Sequence, residues 1–246
     1  MTEPTAPATA ELAAPATAEL AAPATAGSSR PRGEQTRQVI VDTAVRLFAE
    51  RGYEQTTMRV IAAEAGVSLG NAYYYYGSKE HLVEAFYERM QTEIWAAAIP
   101  VLHGVTDFTE RLRLVLHMGV DVMAPYHSFA GKLIQTATDP ASPVSPFSPE
   151  SGVAREASIG MFRAVVDGAS VKLDERLRGE LPELLWLAHM GITLYWVHDR
   201  SPDQAKTRLL IDRATPLVGR LVEISRLPVL RSVTHDVLDL VRALRR

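Results

Sequence analysis

Residues 56–79 read TTMRVIAAEAGVSLGNAYYYYGSK, and the reading of this stretch decides the fold. It predicts two short helices joined by a tight turn, with the start of a third at its end. Thr57 is placed to cap the first helix, over Met58 to Ala65. In Ala65-Gly66-Val67-Ser68, Gly66 suits a left-handed backbone and Ser68 can cap the second helix. That second helix, Leu69 to Tyr76, is too short to be stable alone, so other elements must hold it. It ends in four consecutive tyrosines, Tyr73 to Tyr76, which helical geometry spreads over every side. Tyr73 and Tyr75 are expected to face outward, with Tyr76 and part of Tyr74 packing inward. The pattern is that of a helix-turn-helix whose second helix reads DNA.

Working outward, Glu34 to Arg51 carries Ile40, Ala44, Leu47 and Phe48 at the spacing of one helical face, and Gly52 ends it. On the other side Ser78 caps a long helix through Leu82, Ala85, Phe86 and Met90 towards Ala98. Helices are predicted over Phe108 to Met123, stopped by Pro125, and over Ser128 to Thr138. In DPASPVSPFSPES, Pro140, Pro143, Pro146 and Pro149 recur every third residue, the period of a polyproline II turn. An extended segment is expected there, either a plain surface connection or the edge of a cavity entrance. Val153 to Gly168 forms a further helix, with Met161, Phe162, Val165 and Val166 as its core. Pro182 suits the first turn of the next, which runs to about His198 and is apolar nearly all round. Ser201-Pro202-Asp203 begins another, with a stripe at Leu210, Leu217, Val218 and Leu221 and a bend at Pro216. Val229 to Leu244 closes the chain. No stretch alternates like a strand, so the fold class is all-α.

The 246 residues are 47% hydrophobic and 22% charged, as in a globular protein. There is no cysteine, which removes disulfides, thiolate zinc sites and cysteine nucleophiles and fits a reducing cytoplasm. No secretory pattern opens the chain, and the apolar run from Leu184 to His198 is too short to span a bilayer. A net charge of −3 gives no overall affinity for nucleic acid. Placement matters more: Arg30, Arg32, Arg37, Arg59 and Lys79 all fall near predicted helix starts, where phosphates bind. Residues 6–26 repeat APATAELA, with Pro7, Pro15 and Pro23 too frequent to let a helix propagate, so residues 1–33 are expected to form a disordered tail. Its end at Arg30 and Arg32 offers, as an alternative, a basic arm for the minor groove.

Ala44 with Leu47-Phe48, Gly52-Tyr53, Thr57, Ile61-Ala62, Ala65-Gly66-Val67-Ser68, Tyr73-Tyr74 and Ser78-Lys79-Glu80 occur in an order that resembles the TetR family of transcriptional regulators. The resemblance covers about residues 34–90. It implies a DNA-binding head over 34–80 and a helical ligand-binding and dimerisation domain over 81–246. Position by position, it puts Thr57, Arg59, Asn71, Tyr73, Tyr75 and Lys79 on double-stranded DNA, with Leu69 and Gly70 facing the groove. Arg59 has the forked donors for a guanine edge or a phosphate, and Asn71 can bond a base or phosphate. Leu69 stands where a polar or basic residue is common, Tyr76 where a buried phenylalanine is usual, and Ala72 where a larger apolar residue is usual. The implied function is a homodimeric, ligand-released repressor on a near-palindromic operator, paired through helices at about 182–198 and 203–225. An activator, an effector-less regulator, or a helical carrier or enzyme with a vestigial motif are the alternatives.

No nucleotide-binding loop, metalloprotease helix or nucleophile elbow is present, so neither catalysis nor a cofactor is expected. His117 and Asp121 share a helical face without a third metal ligand, and a hydrogen-bonded pair is the simpler reading. His189 and His198 read as core or interface histidines. Met118, Met123, Tyr126, Phe129, Met161, Phe162 and Trp186 are either plain core or the lining of a pocket for an apolar effector.

Overall fold

The computed structural model of the chain describes residues 32–139 and 141–225, together with residues 236, 239 and 243. The repeat of residues 6–26, Pro140 and nearly all of the closing helix expected over 229–244 lie outside the described residues. Every regular element among the described residues is helical: α1 (Arg32–Arg51), α2 (Met58–Glu64), α3 (Leu69–Tyr75), α4 (Lys79–Leu102), α5 (Phe108–Met123), α6 (His127–Ala137), α7 (Gly152–Asp167), α8 (Glu175–His198) and α9 (Ala205–Ile224). No helix found in them is long and apolar enough to cross a membrane.

The head is α1 to α3 with the start of α4. Its helix boundaries are set locally. Thr57, Ser68 and Ser78 each accept a backbone N–H of the following turn, from Val60 at 3.3 Å, Asn71 at 3.1 Å and His81 at 3.5 Å. At the α2–α3 turn Gly66 has φ +68, the Val67 N–H donates to Ala62 O and the Gly66 N–H donates to Ala63 O. This closes α2 with paired bonds that few side chains other than glycine permit. The buried Thr56 hydroxyl donates to Gly52 O at 2.8 Å and stitches the α1–α2 corner. Ile40, Ala44, Leu47 and Phe48 of α1, Ile61 of α2, Ala72 of α3 and Leu82 and Phe86 of α4 form one apolar cluster. The small Ala72 is fully covered, with Phe48, Tyr75 and Tyr76 in the same cluster.

The body is a bundle of α4 to α9. Its anchor is Arg111, buried with no carboxylate partner among the described residues. The guanidinium donates to Leu102 O (3.2 Å) at the end of α4 and Val105 O (2.6 Å) just beyond it, and to Ala164 O (2.8 Å) and Val165 O (3.0 Å) near the end of α7. A cation thereby meets the carbonyl-rich ends of two helices. Gly168 leaves room for it, since a Cβ there would collide with the Arg111 guanidinium. Between α5 and α9, His117 pairs with Asp212 at 2.8 Å and Asp121 with Arg208 at 2.6 Å. His117 and Asp121 therefore each look across to α9 rather than to each other.

Three local expectations change. The serine-proline segment keeps its period of three but is a train of turns, not a polyproline II strand. Ser142 N–H donates to Asp139 O, Ser145 N–H to Ser142 O and Ser148 N–H to Ser145 O, at 3.0–3.1 Å. Pro143 and Pro146 take the second position of successive turns, which their fixed φ suits, and buried serines take the first. Pro182 lies well inside α8 rather than at its start, because Asp174 caps the helix further upstream by accepting the Leu177 N–H at 2.9 Å. On α9, Leu217 and Leu221 point outward, and the buried face is Thr207, Ile211, Thr215, Gly219 and Val222.

Candidate nucleic-acid interface and internal cavity

Ala72 and the half-buried Leu69 and Tyr76 turn α3 towards the head's core, which leaves Gly70, Tyr73 and Tyr74 on the open side. Tyr73 is 50% exposed and Tyr74 81%. Tyr74 is thus the outermost of the four rings, not a packing residue; four helical steps from Gly70, it marks the pole of the exposed face. Tyr75 is half-buried, with the Arg37 guanidinium 5.8 Å from its ring centre and the Tyr74 ring edge-on at 5.2 Å. The Tyr76 hydroxyl donates to Arg37 O at 3.5 Å.

The remaining expected contact residues border this face. Thr57 and Arg59 are exposed at the start of α2, and Arg59 has no ion pair among the described residues. Asn71 is half-buried on α3. Lys79 is turned inward: its ammonium donates to Tyr53 O at 3.0 Å and sits 4.3 Å from the centre of the Tyr53 ring. The Tyr53 hydroxyl in turn donates to Glu80 at 2.7 Å, and burial with that carboxylate pushes its pKa far up.

A cavity of about 190 Å³, partly open to solvent, lies in the body between α4, α5, α6, α7, α8 and the serine-proline turns. An apolar cavity of about 150 Å³ already takes benzene, so this one suits a compact molecule. Of the residues considered for a pocket lining, Met123, Phe129 and Trp186 border it. Met118, Tyr126, Met161 and Phe162 do not. Met161 and Phe162 sit on the side of α7 buried in the body's core, whereas Ala154, Arg155 and Ser158 meet the cavity from its first turns. Tyr126 instead packs edge-on against Phe86 with centroids 5.0 Å apart. Met118 is half-buried on α5, outside the wall formed by Leu116, Gly119 and Val120.

The polar wall residues Gln91, Arg155, Ser158 and Trp196 escape the sequence reading, as do Tyr87, Ser151 and Thr193. His189, which reads as a core histidine, also lines the cavity; burial holds its pKa down at about 4, so the ring is neutral at pH 7. Arg155 donates to Pro146 O and Ser148 O, each at 3.0 Å, and so fixes the turns over the cavity. Phe147 stands edge-on to Trp186 at 5.3 Å, and Pro146 and Ser151 are part of the lining. The turn segment is the cavity's edge.

Two family patterns match this chain. Residues 40–86 match the bacterial regulatory proteins of the tetR family, and residues 111–244, more than half of the chain, match the tetracyclin repressor-like C-terminal domain. The chain belongs to the TetR family. Among relatives, the fatty acid metabolism regulator protein of Bacillus subtilis is 35% identical over 92 residues, which are 37% of this chain and 47% of that protein. The chain spans about half or less of the length of the curated relatives it matches. The TetR regulator of Nitrosomonas europaea shares the fold with TM-score 0.59 at 21% identity, over 74% of this chain and 97% of that one. The regulator FadR of Bacillus subtilis, solved in complex with stearoyl-CoA, shares it with TM-score 0.56 at 19% identity, over 72% and 96%. At these identities the structural likeness bears on the TetR fold alone.

Proposed function

We propose that this TetR-family chain is a homodimeric DNA-binding repressor, released when a largely apolar effector enters the cavity. The observation that carries the reading is the double use of Phe86, Met90, Phe129 and Leu133. They belong to the apolar cluster that holds α3, and they also line the cavity. Filling the cavity therefore pushes on α4 and α6, and both bear on the head. Lys132 of α6 reinforces the link by donating to Ala49 O and Glu50 O at the end of α1. An effector need only fit one head position better than the position that fits DNA, and the population shifts by that difference.

The dimer face of this reading is the open apolar side of α8 and α9. Leu187, Leu194 and Tyr195 on α8 and Leu209, Leu217, Leu221 and Ile224 on α9 are exposed in the single chain. Two such pairs make a four-helix interface, and a two-fold axis then presents two α3 helices to successive major grooves. The chain acts by binding rather than catalysis. The ionisable side chains on the cavity wall are Tyr87, Arg155 and His189. Tyr87 donates to Val144 O and Arg155 to two carbonyls, and the neutral His189 has the Thr193 hydroxyl 3.5 Å from Nε2 but no carboxylate among the described wall residues to orient the ring. The absence of cysteine fits action in the cytoplasm.

The test is fluorescence anisotropy on DNA taken from upstream of the chain's own gene. Salt-sensitive binding is expected, weakened at least tenfold by Arg59→Ala and by Tyr74→Ala, with helical content unchanged. Binding that neither substitution alters removes the assignment of this face.

A further inference from the structure

Four residues of the cavity wall each carry a buried polar atom with no hydrogen-bond partner among the described residues: Gln91 Oε1, Ser158 Oγ, His189 Nδ1 and Trp196 Nε1. Such atoms are rare in folded proteins, and each one left unbonded costs about 1–3 kcal/mol. Here their residues come from α4, α7 and α8 and border one space. Ser158 and Trp196 are each only 3% exposed, so the surrounding protein cannot hand them to bulk water. The other polar wall groups are already used: the Tyr87 hydroxyl on Val144 O, Arg155 on two carbonyls, Thr193 beside His189 Nε2 at 3.5 Å and Ser151 with Ser148.

Their chemistry restricts what can bind. The indole N–H of Trp196 can only donate, Gln91 Oε1 can only accept, and the Ser158 hydroxyl does either. No Asp or Glu stands among the described wall residues to meet a cation. A carboxylate would be stripped of its water in a mostly apolar wall, with only the Arg155 guanidinium, tied through Nη1 to two turn carbonyls at the cavity's edge, to offset the cost, since His189 is uncharged at neutral pH. A pure hydrocarbon would fill the space and leave all four atoms unbonded.

We propose that the cavity selects an uncharged, compact, mainly apolar molecule that carries both a carbonyl-type acceptor, taken by Trp196 and Ser158, and a hydroxyl donor, given to Gln91. This rests on the reading of the cavity as an effector site, and it adds the effector's chemical class. The specificity residues are Trp196, Ser158 and Gln91. His189 Nδ1 supplies a further bond as donor or acceptor, according to which ring nitrogen holds the proton.

The experiment needs no DNA, so its failure is separate from failure of the repressor reading. Three probes of similar size are titrated into the full chain: 4-(hydroxymethyl)acetophenone, its carboxylate counterpart 4-(hydroxymethyl)benzoate, and the hydrocarbon 4-ethyltoluene. Binding is followed by calorimetry and by the indole N–H resonances of Trp95, Trp186 and Trp196, assigned with Trp196→Phe. The neutral keto-alcohol should bind at least tenfold tighter than either counterpart and shift the Trp196 resonance. Trp196→Phe and Ser158→Ala, which keep the cavity's apolar shape, should each reduce that preference while leaving hydrocarbon affinity within threefold. If the carboxylate or hydrocarbon binds as tightly, or none of the three binds at millimolar concentration, the proposal is overturned.

Discussion

Replacing both Leu217 and Leu221 with serine should separate the two subunits without unfolding either. In the single chain these side chains leave 56% and 62% of their surface open. Burying a leucine completely is worth about 1.5–3 kcal/mol, so covering the open part in a dimer adds about 1 kcal/mol per residue. A two-fold axis uses each residue twice, and the four side chains together contribute about 4 kcal/mol. That corresponds to about a thousandfold rise in the dimer dissociation constant. Sedimentation equilibrium over a range of concentrations measures it, with circular dichroism as the control for folding. Ile211→Ala is the contrasting variant on the same helix: Ile211 is fully buried, so its loss should lower the unfolding midpoint. A double variant that still dimerises within threefold of the parent would refute the placement of the interface on α9.

Arg111→Met should lower stability by about 3–5 kcal/mol in urea unfolding, since it leaves four carbonyls without their charged donor. A loss below about 1 kcal/mol would mean that water replaces the clamp. Gly168→Ala should act in the same direction through displacement of the same guanidinium, and the two changes should be less than additive in a double-variant cycle. At the α8–α9 corner, burial alone would push the Asp199 carboxyl up, but hydrogen bonds from Ser201 and Thr207 outweigh it and hold the pKa well below the ordinary range. Its stabilisation is therefore complete above about pH 4, the unfolded value, and is lost as pH falls towards the folded one. Asp199→Asn should be less stable than the parent at pH 7, with the gap narrowing below pH 4; a gap constant with pH contradicts the linkage.

The features most legible in the sequence are local. Thr57, Ser68, Ser78 and Gly66 act within one turn of themselves, so their caps and turn can be read from neighbours alone. Pro143 and Pro146 show the limit of a period: polyproline II and a train of four-residue turns both repeat every three residues, and only the serine bonds separate them. Pro182 misleads because proline suits a first turn, while Asp174 upstream makes the stronger start. Which way Tyr74 points follows from the burial of Ala72, a small residue whose covering by Phe48 and its neighbours is a tertiary fact. The cavity is the least legible feature. Apolar residues at helical spacing do not say which of two packed sides is empty, so Met161 and Phe162 look the same in sequence as Met123 and Phe129. The sharper signal is polar: Gln91, Ser158 and His189 stand on otherwise apolar helical faces, and all three meet the cavity.

Selection of bound fragments from a random DNA pool by the full chain tests the repressor reading most directly. A near-palindrome is expected, with half-site centres about 34–36 Å apart or slightly more, bound by a dimer. Arg59→Ala should lose affinity for the selected site. Enrichment of a single asymmetric half-site, or no enrichment at low salt, would contradict the reading.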